Sequence, residues 1–439
     1  MTEGLKPYPA YKPSGVPWLG DVPRHWEVRR LKQVCRLAYG DSLPAEARQE
    51  GTVPVFGSNG RVGLHSTSNT KAPCIVIGRK GSFGKVNFSA DPVFAIDTTF
   101  FVDSRFTTTD VRWLFYLLGW LRLDQVSKDS AVPGLDRQDA YQRVAAFPPL
   151  PEQSAIVRFL DYFDRRIRKY IRAKQKLIGL LNEQKQTIIN HAVTRGLDSN
   201  VKLKPSGVPW LGDVPEHWKA SKLSRLVRSS NAGEVIDKGW WGRGEETLFT
   251  CARDPLRSDY KQFPLHKRTT GSDLLVTRNG TPYVHRPPRG AIYSNVVQRI
   301  NLVGGCNREF VALALEQATR AMRGYGVSIE SLNYDMWKVL VVLNPPADEQ
   351  TAIVNHSKAV SVLHVRAIEA VGREMNALRE YRTRLVADVV TGKVDVREVA
   401  AGLPEEVRET ESADMIEADV DDIEDSVGEA EADGGEAGS

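Results

Sequence analysis

Apolar residues recur at every third or fourth position from Glu152 to Asp198. Ile156, Leu160, Phe163, Ile167, Tyr170, Leu177, Leu181 and Ile188 form the stripe, with Lys174 and Gln184 as its polar members. This 4-3-4-3 spacing predicts a coiled-coil helix, which buries a narrow seam and so needs another helix against it. The same register returns 197 residues later as Ile353, Val360, Ala367, Val371, Leu378, Tyr381 and Leu385, interrupted by Ser357, His364 and Glu374. The chain therefore carries its own partner helix. Pro149-Leu150-Pro151-Glu152-Gln153 opens the first and Pro346-Ala347-Asp348-Glu349-Gln350 the second, with proline where an unpaired N–H costs nothing and acid near the positive end of the dipole. Glycine can cap both, after Val193-Thr194-Arg195-Gly196 and Val390-Thr391-Gly392. About 44 residues make a rod of roughly 65 Å. Such a rod suits a spacer between two bodies, although an ordinary bundle or dimer stem carries the same seam.

A second repeat precedes each helix. Lys12 to Trp26 returns as Lys204 to Trp218, and only Arg24 and Glu216 differ. Prolines make the segment extended, and its tryptophans (Trp18, Trp26, Trp210, Trp218) are expected to pin the arm to the scaffold rather than stack on bases. Between the first arm and its helix, Cys74–Gly78 and Thr99–Val102 read as buried strands, and Asp110 to Leu123 as an amphipathic helix with an Asp cap. Two glycine-rich loops, 57–63 and 78–85, lie among them. The second fails the phosphate-loop pattern, because Arg79 stands where glycine is needed and Val86 where Ser or Thr is needed. Ser58, Asn59, Arg61, Arg79, Lys80, Ser82 and Lys85 instead suit DNA, since glycine backbones approach a groove closely while donors reach phosphates or base edges. Solvated basic turns are the alternative. The corresponding segment 223–344 differs in sequence and offers Trp241, Arg243, Arg278, Asn279, Thr281, Tyr283 and Arg289, with Arg286 and Arg299 adding charge. Its close repeats the first plan: a helix from Phe310 to Met322, a glycine-rich turn, and a strand from Trp337 to Leu343 running into Asn344-Pro345-Pro346. A duplicated scaffold with diverged inserts should read two different things.

Charge sharpens this. Residues 405–439 hold fifteen acids against the single Arg408, a net of −14, so residues 1–404 carry +18 in a chain of +4 overall. A strongly basic body points to nucleic acid, and no long apolar run or basic surface helix points to a membrane. The acidic tail is expected to be disordered. Four cysteines without a CxxC pair imply reduced thiols, a cytoplasmic setting and no metal site. Met1 to Lys12 lacks an apolar signal core. Asn344-Pro345-Pro346 is similar to the base-gripping loop of amino-group methyltransferases, but Ala347 replaces the aromatic and no glycine-rich cofactor loop lies upstream. It is expected to be a strand-to-helix corner, and no catalytic constellation stands out.

The order arm, variable domain, Pro-Glu-Gln-led helix, then the same again, resembles the specificity subunit of type I restriction–modification systems over residues 12 to about 398. The carrying motifs are Trp-Leu-Gly-Asp-Val-Pro-x-His-Trp at 18–26 and 210–218, Pro-Leu-Pro-Glu-Gln at 149–153 with its weaker copy at 346–350, and the paired helices. The resemblance implies an α+β fold: two mixed α/β target-recognition domains separated by an antiparallel pair of long coiled-coil helices, with an internal pseudo-twofold repeat. The corresponding boundaries are 1–150 for the first arm and domain, 151–198 for the first helix, 199–345 for the second arm and domain, 346–398 for the second helix and 399–439 for the tail. It further implies that the chain itself is not an enzyme and binds no cofactor. Double-stranded DNA and two modification subunits would be partners, those subunits supplying S-adenosylmethionine and adenine methylation, and restriction subunits would supply ATP- and Mg-dependent translocation and cleavage. The DNA site should be bipartite, its halves roughly one helical turn apart. A self-contained DNA adenine methyltransferase and a coiled-coil adaptor are the alternatives, disfavoured by the missing cofactor loop and by the basic body.

Overall fold

The computed structural model describes residues 5–125, 134–279, 281–324 and 332–404. The acidic tail and the glycine-rich turn expected before Trp337 lie outside them. The chain divides into two units, one running to Arg172 and resuming at Met375, the other Ala173–Glu374.

In the first unit the arm is a two-stranded antiparallel ribbon, Tyr11–Pro13 with Asp21–Pro23. A four-stranded antiparallel sheet follows in the order Ala38–Tyr39, Thr99–Asp103, Cys74–Gly78, Val86–Ser89, so the strand longest in hydrophobic run, Cys74–Gly78, is fully buried. A smaller sheet sets Val53–Gly57 between Gly60–His65 (antiparallel) and Phe94–Ala95 (parallel). Helix α1 (Val111–Trp120) starts where the Asp110 carboxylate accepts the N–H groups of Arg112 and Trp113, and it buries Trp113, Leu114, Leu117 and Leu118. Helix α2 (Arg137–Gln142) precedes the strand Val144–Phe147, which pairs with Glu27–Arg30. Then comes α3 (Leu150–Arg195), whose Ile156 and Leu160 share one core with Trp26, with α1 and, from the far end of the chain, with Leu385 and Val389.

The second unit repeats this order. Its sheet runs Val227–Ala232, Val297–Leu302, Leu274–Thr277, Val284–His285, and its smaller sheet again has one antiparallel and one parallel pairing around Trp241–Phe249. Helices α4 (Arg308–Gly324), α5 (Tyr334–Val339) and α6 (Ala347–Val390) take the places of α1, α2 and α3, and α7 (Arg397–Gly402) follows in the first unit. Duplication thus extends through the inserts, whose sequences hide it. Two expectations are corrected. Tyr334–Val339 is helical because Asn333 caps it, so the strand expected from Trp337 begins only at Val341. The second long helix stops at Val390 rather than 398, where Gly392 takes the left-handed conformation (φ 76°), as Gly196 does after the first (φ 78°).

The polar members of the seam find one another. Within the second unit, Lys174 Nζ lies 2.5 Å from Glu374, and His364 Nε2 lies 3.3 Å from Gln184 Oε1. Ten residues forward on α3 match ten backward on α6, which makes the pair antiparallel. At the surface such contacts contribute about 0–1 kcal/mol, so they select register more than they stabilise. The sequence seam also slips. Tyr170 is 48% exposed while Ile171 is buried, and Ile189 rather than Ile188 is the more deeply buried of that pair. A helix of 3.6 residues per turn drifts against a strict 3.5 repeat, by roughly 20° per heptad.

Candidate nucleic-acid interface

Each mixed domain is fastened to its long helix by the Glu-Gln pair that opens it. The Glu152 carboxylate accepts hydrogen bonds from Tyr8 Oη (2.5 Å) and Trp26 Nε1 (3.0 Å), and His25 Nε2 lies 2.8 Å from its other oxygen. Burial is the main cause, and Glu152 the second, of a Tyr8 hydroxyl pushed far above its usual range. In the second copy Glu349 accepts from Trp218 Nε1 (2.9 Å) and sits 2.7 Å from His217 Nε2. Gln153 Oε1 takes the peptide N–H of Asp110, the cap of α1, and Gln350 Oε1 takes that of Asn307, just before α4. The repeated His-Trp and Glu-Gln motifs are thus two halves of one joint. Trp26 and Trp218 are buried and pin the arms as expected, whereas Trp18 is exposed and lies 5.6 Å from Trp120.

The two glycine loops of the first domain meet. A Cβ at Gly78 would lie 2.2 Å from Ser82 O and 2.9 Å from Ser58 O, and one at Gly84 would lie 2.1 Å from Asp124 N. Close backbone approach, not phosphate binding, therefore accounts for these glycines. Lys85 Nζ donates to Asn59 Oδ1 (3.1 Å), Ser58 Oγ to Thr98 O (2.7 Å), and Arg79 Nε and Nη2 to Asp97 O. Asn59, Arg61, Lys80 and Ser82 are exposed, while Ser58, Arg79 and Lys85 are half-buried and partly committed to the scaffold. Two residues missed in the sequence join this group. Tyr39, on the edge strand beyond Thr99–Asp103, has the Arg79 and Arg137 guanidiniums over its ring at 5.3 and 4.8 Å. No spacing signal links three residues so far apart in the chain; the sheet order brings Tyr39 to Arg79, and the Lys80–Gly134 bridge brings α2 with Arg137.

In the second domain Arg278 occupies the position of Arg79. Thr99 opposes Gly78 and Val297 opposes Thr277, and each following arginine donates its N–H across the sheet, Arg79 to Thr98 O and Arg278 to Val296 O. Asn279 and Thr281 are exposed beside Arg278. Tyr283 closes the same loop, its N–H donating to Thr277 Oγ1 (3.0 Å), while Trp241, Arg243 and Arg289 are not gathered there. Trp241 packs on the small core and donates to Ile236 O, and Arg243 pairs with Asp259. Tyr283 is half-buried with its ring 6.0 Å from that of His285. Arg289 is exposed beside Gly271, before the strand Leu274–Thr277, and so at the end opposite Arg278. Arg286 is bound to Glu309 and Glu316, and Arg299 to the carbonyls of Lys267 and Arg268, so both are scaffold.

Among the described residues there is no cluster of His, Cys, Asp or Glu fit to hold a metal, and no helix is long and apolar enough to cross a membrane. All four cysteines are unpaired. Residues 23–177 match the family model of the type I restriction modification DNA specificity domain. The putative type I restriction enzyme MjaX specificity subunit of Methanocaldococcus jannaschii is 21% identical over 86% of this chain and 96% of its own length. The MjaVIII specificity subunit of the same organism is 29% identical over 27% of each chain. In fold, the chain is similar to one from a structure concerned with assembly and conformational transition of the type I restriction–modification system, with TM-score 0.60, 12% identity, and 84% and 98% of the two chains covered. The first domain thus matches the type I restriction modification DNA specificity domain, and the chain over most of its length is similar in sequence to a type I specificity subunit.

Proposed function

We propose that the chain is the non-catalytic DNA-specificity subunit of a type I restriction–modification enzyme and that its two domains read the two halves of a split double-stranded site. One observation carries this reading: a single topology occurs twice with different residues at equivalent surface positions, Lys80 against Asn279 beside the retained Arg79 and Arg278. Two like frames bearing unlike side chains fit unlike half-sites. Two modification subunits, one per copy of the scaffold, and restriction subunits complete the enzyme in this proposal. S-adenosylmethionine, ATP and Mg belong to those subunits, and the assembly works in the cytoplasm.

The long helices then set the gap between half-sites. Deleting residues 174–180 and 368–374 removes one heptad from each helix in matched register and keeps the Gln184–His364 contact. A heptad is about 10.5 Å of helix, so the unread gap should shorten by about three base pairs with both half-sequences unchanged. Sequencing of methylated adenines in a host carrying the variant reads gap and half-sites together. An unaltered gap with altered bases would overturn the assignment of the helices as a ruler.

A further inference from the structure

Several arginines of the first domain are already neutralised, Arg29 among them by Glu27. Arg105 is paired with Asp103, Arg112 with Asp161, and Arg122 with Asp124. Arg79 and Arg137 are in no ion pair among the described residues. Arg79 is held by the Tyr39 ring and by Asp97 O, and Arg137 by the Tyr39 ring, its Nε being buried without a hydrogen-bond partner among those residues. Tyr39 is itself 49% exposed and is fixed from below by Phe100, 5.0 Å away between ring centres. An aromatic ring can hold a guanidinium in place without cancelling its charge. Two positive heads kept at one exposed spot, beside a phenol able to donate, match the geometry of an anionic phosphate.

The second domain lacks the arrangement. Tyr39 opposes Phe100 in the sheet, and at the equivalent register Ala232 opposes Gln298. Arg137 follows the cap Asp136 of α2, and Tyr334 follows the cap Asn333 of α5. Only Arg278 is retained, and its Nη1 reaches Asn295 O at 3.3 Å.

We infer that Tyr39, Arg79 and Arg137 form a DNA phosphate contact present in the first recognition domain only. The inference rests on the DNA-reading function proposed above and adds a backbone contact that positions the duplex without reading sequence. In the full chain assembled with its modification subunits, Arg137→Gln should weaken binding to cognate and random-sequence duplexes by the same factor. It should also reduce the slope of log affinity against log salt by about one. Arg137→Lys should restore most of the slope. Tyr39→Ala, which frees both guanidiniums, should weaken both duplexes at least as much as Arg137→Gln, and Tyr39→Phe, which keeps the ring, should weaken them less. An unchanged salt slope in Arg137→Gln, or a loss confined to cognate DNA, would overturn the phosphate contact, the second outcome in favour of base readout. A wild-type complex that does not distinguish cognate from random DNA would instead bring down the reading on which the contact rests.

Discussion

Glu152→Ala should destabilise the first unit by about 2–6 kcal/mol, and Glu349→Ala the second by about 1–3 kcal/mol. A buried donor left without its acceptor costs about 1–3 kcal/mol. Glu152 is 5% exposed and serves two buried donors, the Trp26 indole and the Tyr8 hydroxyl. Glu349 is 36% exposed and serves one, the Trp218 indole. The histidines add little to either sum, because His25 and His217 are 43% and 45% exposed and water can replace the carboxylate. Denaturant unfolding, with hydrogen exchange in each arm to assign the transitions, measures both losses. Equal losses, or a larger one for Glu349→Ala, would show that arm burial alone fastens the domains.

The second large effect concerns Asp164, which is 4% exposed on α3 and bonded to both Arg168 and Arg382 within the first unit. Burial acts to raise its pKa, yet the charges of Arg382 and Arg168 outweigh it and hold the carboxyl below the usual aspartate range. Arg382→Ala leaves a buried carboxylate with Arg168 as its remaining cation and should cost about 1–3 kcal/mol, the range for a buried group that loses a partner. The pH dependence follows from the direction of the shift. A carboxyl whose folded pKa lies below its unfolded value of about 3.9 contributes fully above that value. Its contribution disappears as pH falls through the folded value. Between about pH 4 and the folded value, stability should therefore fall more steeply in the wild type than in Asp164→Asn. Unfolding free energies at a series of pH values from 5 to 2 test this, and parallel curves would remove Asp164 from the account.

These two joints were only half legible in the residues. Glu152 and Glu349 fit the role of acids near a helix N-terminus, and their partners in the His-Trp motif were visible as a repeat. Nothing in either motif says that one bonds to the other, since more than a hundred residues of folded domain lie between them. Lys174, Gln184, His364 and Glu374 were legible as polar breaks in the seam, and pairing them required knowing that the helices run antiparallel. The loops at 57–63 and 78–85 were recognisable as close-approach turns. Gly78 and Gly84 turn out to be required by neighbouring backbone, and Tyr39 and Arg137 join these loops through the sheet order and the Lys80–Gly134 bridge.

Local pattern by itself determined the long helices, their glycine ends, the duplicated arms, the basic body and the family resemblance, because periodicity, capping and charge are properties of neighbouring residues. Tertiary structure alone decided that the two dissimilar inserts share one topology, that Arg278 takes the place of Arg79, and which arginines keep an uncancelled charge. A sheet's register is satisfied by backbone groups that every residue carries. Side chains can therefore change almost freely along it while the strand order stays the same.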